Sequence, residues 1–370
     1  MMHYTSVAVA ALLALSGLVQ AQDKWVVGQS APLSGQNAKF GQDIRDGAAA
    51  YFSMVNATGG VQGRSLELIT LDDKNDRKQA GENAKTLLAN KDLLALFGFA
   101  SATLSLDAMP QAVTSRVPFF APFSGASAVR VNNPVLFTLR ASYEEELDKM
   151  LTFWTNLGVS RVVVVHYNDE VGKQNLEVVT QKLKKIKLEP LALPLARNAV
   201  VGAAEVQALI ALQPGVIINT VLSGPAGKLQ KDLFELKRVI PTSSLSFVGA
   251  DQFITATGPA GAGVSISQVV PNASSPLPAV RECAKALEAA GSKVAMNSTQ
   301  LEACLSAKVL VEGIRRARKP VTAQSVLAAL SNLGVYDLGG YSISFAPGAQ
   351  HGSKFVDLAM VSREGRLLSR

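Results

Sequence analysis

The stretch APLSGQNAKFG (31–41) joins the apolar run WVVG (25–28) to QDIRDGAAAYFSMVN, which reads as a helix. A glycine-bearing turn between a strand and a helix presents backbone amides to an anion, phosphate above all. This turn lacks the Lys-Ser/Thr of a phosphate loop and the glycine spacing of a dinucleotide fingerprint. It therefore argues against a nucleotide and leaves a smaller anion open. The other groups able to do chemistry are sparse. His3, His166 and His351 have no second ligand at metal-binding spacing. Asp72 and Asp73 close a strand, where turn formation and capping are favoured over a metal role. There is no G-x-S-x-G elbow and no C-x-x-C pair. GPAGAG (258–263) reads as a loop before VSISQVV. The Asn-x-Ser/Thr matches at Asn56, Asn272 and Asn297 carry little weight. An enzyme is not supported, and no cofactor or metal is expected.

The elements that position these residues alternate along the chain. LELITLDD (66–73), LLALFGF (93–99), VPFFAPFS (117–124), RVVVVHYND (161–169), GVIINTVLSG (215–224) and LSFVGAD (245–251) read as strands separated by helices. Continuous β-branched runs are the pattern of parallel strands covered on both faces, so the fold class is α/β with open, doubly wound sheets. At 370 residues, two such sheets fit better than one core. YSISF (341–345) and FVDLAMVS (355–362) read as a closing hairpin around APGAQHG. Ligands of open α/β sheets gather beyond the carboxyl ends of strands. The loops to watch follow Gly28, Phe97, Phe120, Tyr167, Thr220 and Val248.

Hydrophobic content of 48% with 18% charged residues indicates an ordered chain. The formal charge of +7 is spread out, and its densest runs, KLKKIK (182–187) and RRARK (315–319), fall where helices should end. No aromatic-interleaved basic motif is present, so nucleic acid is not an expected partner. VAVAALLALSGLV (7–19) followed by VQA reads as a secretory signal cleaved after Ala21, although MMHYTS lacks Lys and Arg. Cys283 and Cys304 fall in helices; they either pair in an oxidising compartment or remain separate buried thiols.

The segments PLSGQNAKFGQDIRDGAAAYFSMVNATGGVQG (32–63), FGFASATLS (97–105), VPFFAPFSGA (117–126), RVVVVHYNDEVG (161–172) and LSFVGAD resemble the leucine/isoleucine/valine-binding proteins of ATP-binding-cassette importers. DLGGYSISFAPGAQHGSKFVDLAMV (337–361) extends the likeness to the C-terminus. The resemblance implies a type I periplasmic binding fold: two doubly wound parallel-sheet lobes joined by three hinge crossings. These crossings fall near 140–142, 267–270 and 356–357. The implied layout is a signal peptide at 1–21, lobe 1 from 22–141 and 269–356, and lobe 2 from 142–268 and 357–370. It further implies a periplasmic monomer that traps a small molecule, an amino acid with an apolar side chain, and delivers it to a membrane permease. An aromatic or other carboxylate, an amide or urea-like solute, or a sensory module on the same fold are the alternatives.

By the same resemblance, Ser101, Ala102 and Thr103 hold the ligand carboxylate, and Ser124, Gly125 and Ala126 meet the carboxylate and ammonium. Phe40 either covers the side chain or packs in the core, and Ser34 caps the helix after the opening turn. Asp251 meets the ammonium, unless it serves as a helix N-cap. Relatives carry Tyr at two positions that here are Val171 and a site near Leu222.

Overall fold

The computed structural model describes residues 24–35, 37–197 and 200–369. The export signal read at 1–21 lies outside the described residues. In the first lobe, strands β1 (Trp25–Ala31), β2 (Leu66–Asp72), β3 (Leu93–Phe97), β4 (Phe119–Phe120) and β5 (Leu136–Phe137) form a parallel sheet in the order β2-β1-β3-β4-β5. Helices α1 (Ala38–Ala57), α2 (Arg77–Leu88), α3 (Ala102–Ser105) and α4 (Met109–Ser115) connect these strands.

The chain then enters a second lobe through α5 (Tyr143–Asn156), started by a reciprocal cap between Ser142 and Glu145. Strands β6 (Val162–Tyr167), β7 (Leu191–Leu195), β8 (Val216–Asn219), β9 (Thr242–Ser244) and β10 (Ser265–Gln268) pair in parallel. They alternate with α6 (Glu170–Lys184), α7 (Ala203–Ala211), α8 (Ser223–Glu235) and α9 (Ala250–Thr257).

After β10 the chain returns to the first lobe as α10 (Pro278–Ala289), α11 (Ser298–Arg316) and α12 (Ala323–Ser331), then the hairpin of β11 (Gly334–Asp337) and β12 (Ser342–Phe345). Finally β13 (Asp357–Val361) and β14 (Leu367–Leu368) add antiparallel strands beyond β10, completing the order β14-β13-β10-β9-β8-β6-β7. Among the described residues no helix is long and apolar enough to cross a membrane.

The buried apolar side chains divide along the same line. Phe52, Phe97, Phe120 and Phe345 pack with the apolar face of α11, while the valines at 162–165 pack with Ile217, Leu229 and Phe253. Contact between α1 and α11 depends on Gly47, where a Cβ would lie 2.2 Å from the Gln300 carbonyl oxygen. Asn297 and Gln300 cap the start of α11 reciprocally. Lys184 and Arg316 end α6 and α11, so the two basic runs do sit at helix C-termini.

Four readings of the sequence are corrected. LSFVGAD is not a strand: β9 ends at Ser244, residues 246–248 form a 3-10 turn and α9 begins at Ala250. YSISF pairs with β11, and FVDLAMVS pairs with β10 in the other lobe, so the two do not form a hairpin. His351 is accordingly not in a hairpin turn; its Nδ1 shares a 2.9 Å hydrogen bond with Thr138 Oγ1. Within VPFFAPFS only Phe119–Phe120 is strand, because the chain turns away at Ala121, which has φ +50°.

Of the two alternatives for the cysteines, the structure has the bond: Cys283 on α10 is joined to Cys304 on α11. Closing a loop of sequence separation 21 stabilises a fold by about 3 kcal/mol in the chain-entropy account. Reduction, or the Cys283→Ala/Cys304→Ala pair, should lower unfolding free energy by that order in urea titrations. An unchanged midpoint would show that the bond adds nothing.

Candidate functional site

The frame of the site begins at the end of β2. Asp72 accepts hydrogen bonds from the Leu33 amide (2.9 Å), the Ser34 hydroxyl (2.6 Å) and the Lys74 amide (2.9 Å). Its partial burial favours the neutral acid, but the bonds from Ser34, Leu33 and Lys74 outweigh this and hold the carboxyl below its usual range. Asp73 is fully buried and accepts from the Ser30 hydroxyl and the Asn75 amide; burial pushes its pKa up to about 6. Both acids therefore build the turn. Among the described residues no group of His, Cys, Asp and Glu is arranged to hold a metal.

Ser34 does not cap α1, as its hydroxyl is committed to Asp72; Asn37 stands at the cap position and makes no side-chain cap bond. The turn also packs directly on the helix, since a Cβ on Gly41 would lie 2.0 Å from the Pro32 carbonyl oxygen. This fixes Phe40 in the first turn of α1.

Phe40 projects into the gap between the lobes. Its ring meets Phe123 and Phe247 edge-on, each at 6.2 Å between centroids, and Tyr143 lies 6.1 Å from Phe247. Phe123 follows β4 and Phe247 follows β9, so each sheet contributes a ring from a strand's carboxyl end. Such contacts add roughly 0.5–1.5 kcal/mol per pair beyond area burial.

Cavities surround this aromatic cluster. In one of about 10 Å³, Ser101, Ala102, Thr103 and Ser124 of the first lobe face Tyr167, Val171, Asn175, Arg197 and Thr220 of the second. The structure thus brings five of the expected ligand residues together: Ser101, Ala102, Thr103, Ser124 and Val171. Gly125, Ala126 and Leu222 are not in its walls. The Gly125 carbonyl accepts from the Tyr143 amide, the Ala126 amide donates to Ser124 Oγ, and the Leu222 amide donates to the Tyr167 phenol oxygen.

Phe40 and Asp251 line a different cavity, of about 350 Å³, with Lys39, Asp43, Ser223 and Gln252. Asp251 lies inside the first turn of α9, with Gly249 at the cap position, so it is not the N-cap. Burial and then the facing Asp43 raise its pKa, against hydrogen bonding from the Ser298 backbone. Asp43 is itself raised by burial, although it pairs with Lys39 and accepts from Gln252 across the gap.

Sequence reasoning missed Tyr143, Tyr167, Asn175, Arg197, Thr220 and Phe247 as lining residues. Tyr167 and Thr220 sit at the ends of strands that the sequence does mark. Arg197 follows LALPL, where Pro194 interrupts the β-branched signal. Tyr143 and Tyr167 bring rings to a cavity where Val171 supplies none.

Between these cavities and the crossings lies a buried charge. Arg140, 2% exposed, follows β5 on the first crossing. Its Nε is 3.3 Å from Glu302 Oε1 on α11, an ion pair without hydrogen-bond alignment, and its Nη2 donates to Ser246 Oγ after β9. Glu146 of α5 accepts from the Ser246 amide (2.9 Å) and hydroxyl (3.0 Å) and from Ser267 of β10. Burial pushes Glu302 up to about 7 despite Arg140.

Residues 24–366 match the sequence profile of the periplasmic binding protein family. A possible leucine/isoleucine/valine-binding protein from Rhodopirellula baltica superposes with a TM-score of 0.90 at 26% identity, covering 94% of this chain and 96% of that one. A substrate-binding periplasmic protein from Ralstonia solanacearum superposes with a TM-score of 0.89 at 29% identity, covering 94% and 100%. Leu/Ile/Val-binding protein homolog 2 of Brucella abortus is 38% identical over 76 residues. That match covers 20% of each chain, so this protein spans about a fifth of the length of that relative. The chain belongs to the periplasmic binding protein family and has its type I fold.

Replacing Arg140 by Met leaves Glu302 buried without its counter-charge, a loss of roughly 3–5 kcal/mol by analogy with broken buried pairs. Arg140→Met/Glu302→Met should recover at least half of that loss in urea unfolding. A double variant as unstable as the single one would mean that the charge pair is not what Arg140 contributes.

Proposed function

We propose that this protein is the periplasmic receptor of an ATP-binding-cassette importer, exported by its N-terminal signal and acting as a monomer. It captures an amino acid with an apolar side chain and passes it to a membrane permease. The moving halves are 22–141 with 269–356 and 142–268 with 357–370. The observation that carries this reading is the gap itself. Hydroxyls and amides at Ser101, Thr103 and Ser124 sit at strand ends of one sheet and face an opposing lobe that also supplies Asp251. The names of the relatives, as leucine/isoleucine/valine-binding or substrate-binding proteins, point the same way.

In this reading the ligand carboxylate lies on the 101–103 and 124–126 loops, where charge-assisted hydrogen bonds are each worth roughly 1.5–3 kcal/mol before desolvation. The ammonium meets Asp251, with Asp43 adding a second negative charge beside it. The apolar side chain takes space where Phe40, Phe123 and Phe247 now touch. The cavity of about 10 Å³ among the hydroxyls has room for about one water at most, which needs roughly 10–15 Å³ on this measure. Binding therefore requires the lobes to part or Phe40 to swing. A carboxylate without an amino group is the second reading, favoured by the aromatic cluster that separates Asp251 from Ser101 and Thr103.

A thermal-shift screen of amino acids, aromatic acids and amides tests this directly. A true ligand at about 100 times its dissociation constant adds roughly 2.7 kcal/mol of stability. Stabilisation by aromatic acids alone would overturn the amino-acid reading. Asp251→Ala should weaken amino-acid binding at least tenfold while leaving the unliganded melting temperature nearly unchanged. Because the pKa of Asp251 is raised above 3.8, wild-type affinity should fall on acidification earlier than for an ordinary aspartate. A pH series of titration calorimetry reads that trend, and the residual binding of Asp251→Ala should lack it.

A further inference from the structure

Arg197 lies beyond the carboxyl end of β7, and its guanidinium spans the gap between the lobes. Its Nε donates to Asp169 Oδ2 at 2.7 Å, and its Nη2 lies 2.6 Å from the same oxygen. That carboxylate is held from behind, since Asp169 Oδ1 also accepts from the Gly172 amide at the start of α6. The face of the guanidinium rests on the Tyr167 ring, 4.2 Å from its centroid. One donor of Nη2 reaches Thr103 Oγ1 of the first lobe at 3.1 Å. Nη1 is buried and, among the described residues, has no hydrogen-bond partner.

A guanidinium carries five donors in a rigid plane. Asp169 uses the Nε–Nη2 edge of it, Nη2 also reaches Thr103, and Arg197 lines one cavity with Ser101, Thr103 and Ser124. A buried donor without a partner is costly, and a carboxylate satisfies two such donors at once. The pairing with Asp169 and the stacking on Tyr167 lock the plane in place, so little side-chain freedom remains to be lost on binding. From these contacts we infer that Arg197 is the second lobe's anion ligand. It receives the carboxylate of the solute on its Nη1–Nη2 edge, displacing Thr103, while the hydroxyls of the first lobe hold the same group from the other side. The lobes then close on one negative charge, which makes a free carboxylate a requirement of the ligand and excludes amides and urea-like solutes. This inference rests on the receptor reading above and specifies the chemistry of its site.

The test compares acids with their amides on the full mature chain: L-leucine with leucinamide, benzoate with benzamide, and acetate with acetamide. Wild type should be stabilised by at least one acid and not by the matching amide. Arg197→Gln should weaken that acid tenfold or more in calorimetry, and Arg197→Lys should retain part of the affinity. Arg238→Gln, which removes an exposed guanidinium of the same lobe away from the gap, should bind the acid as wild type does and controls for loss of positive charge alone. Circular dichroism and unliganded melting confirm that each variant is folded. Equal acid binding by wild type and folded Arg197→Gln, amides binding as well as acids, or no acid stabilising the wild type would each overturn the assignment. Amino acids that bind both forms alike would sink the role of Arg197 and leave the receptor reading standing. Simple acids that bind through Arg197 while no amino acid does would have the reverse meaning.

Discussion

A guanidinium removed from water has to be answered by negative charge, and Arg140 imposes that condition at the junction of the two lobes. It sits on the chain where the first lobe hands over to the second, and its partners come from both sides: Glu302 on α11 and Ser246 after β9. Ser246 is shared with Glu146, which also holds Ser267 on the strand that leads back. Two of the chain's passages between lobes thus converge on one polar knot. Desolvation makes such a knot a poor source of net stability, and its value lies in admitting few alternative arrangements. The Phe40 cluster lies beside it: Phe40 and Phe123 line a small cavity together with Arg140, Ser246 and Glu302.

The gap itself is built from two kinds of contact with different tolerances. Phe40, Phe123, Phe247 and Tyr143 meet through rings whose attraction is broad and without strict direction. Around them, Arg197 with Thr103 and Gln252 with Asp43 cross between the lobes through hydrogen bonds that demand alignment. Rings can slide against one another at little cost, whereas the polar pairs would have to break or exchange partners for the lobes to part. In the receptor reading proposed above, a solute's charged ends take up that exchange.

Much of this was legible in the sequence, for identifiable reasons. The valines at 162–165 announce a strand buried on both faces, and the run from WVVG through the glycine turn to QDIRDGAAAYFSMVN announces β1 and α1. The close backbone approach at Gly41 and Gly47 emerged only from the structure. Cooperative polar contacts were harder to see. Asp72 and Ser34 are far apart in sequence, so the bond that diverts Ser34 from the α1 terminus left no local trace. The partner of YSISF was hidden because an antiparallel neighbour such as β11 lacks β-branched density, with Tyr336 and Asp337 at its end. Arg197 was invisible because Pro194 breaks the pattern of the strand that carries it to the gap. Residue type and spacing revealed the scaffold, while side-chain partnerships across lobes needed coordinates.

The covalent link between α10 and α11 acquires a further meaning from where it lies. Both helices belong to the first lobe, so the sulfur bridge never spans the divide. It braces the body that carries Glu302 against distortion and places no covalent constraint between that body and the other. A crosslink placed across the crossings would have tied the two bodies together; this one stiffens a single body.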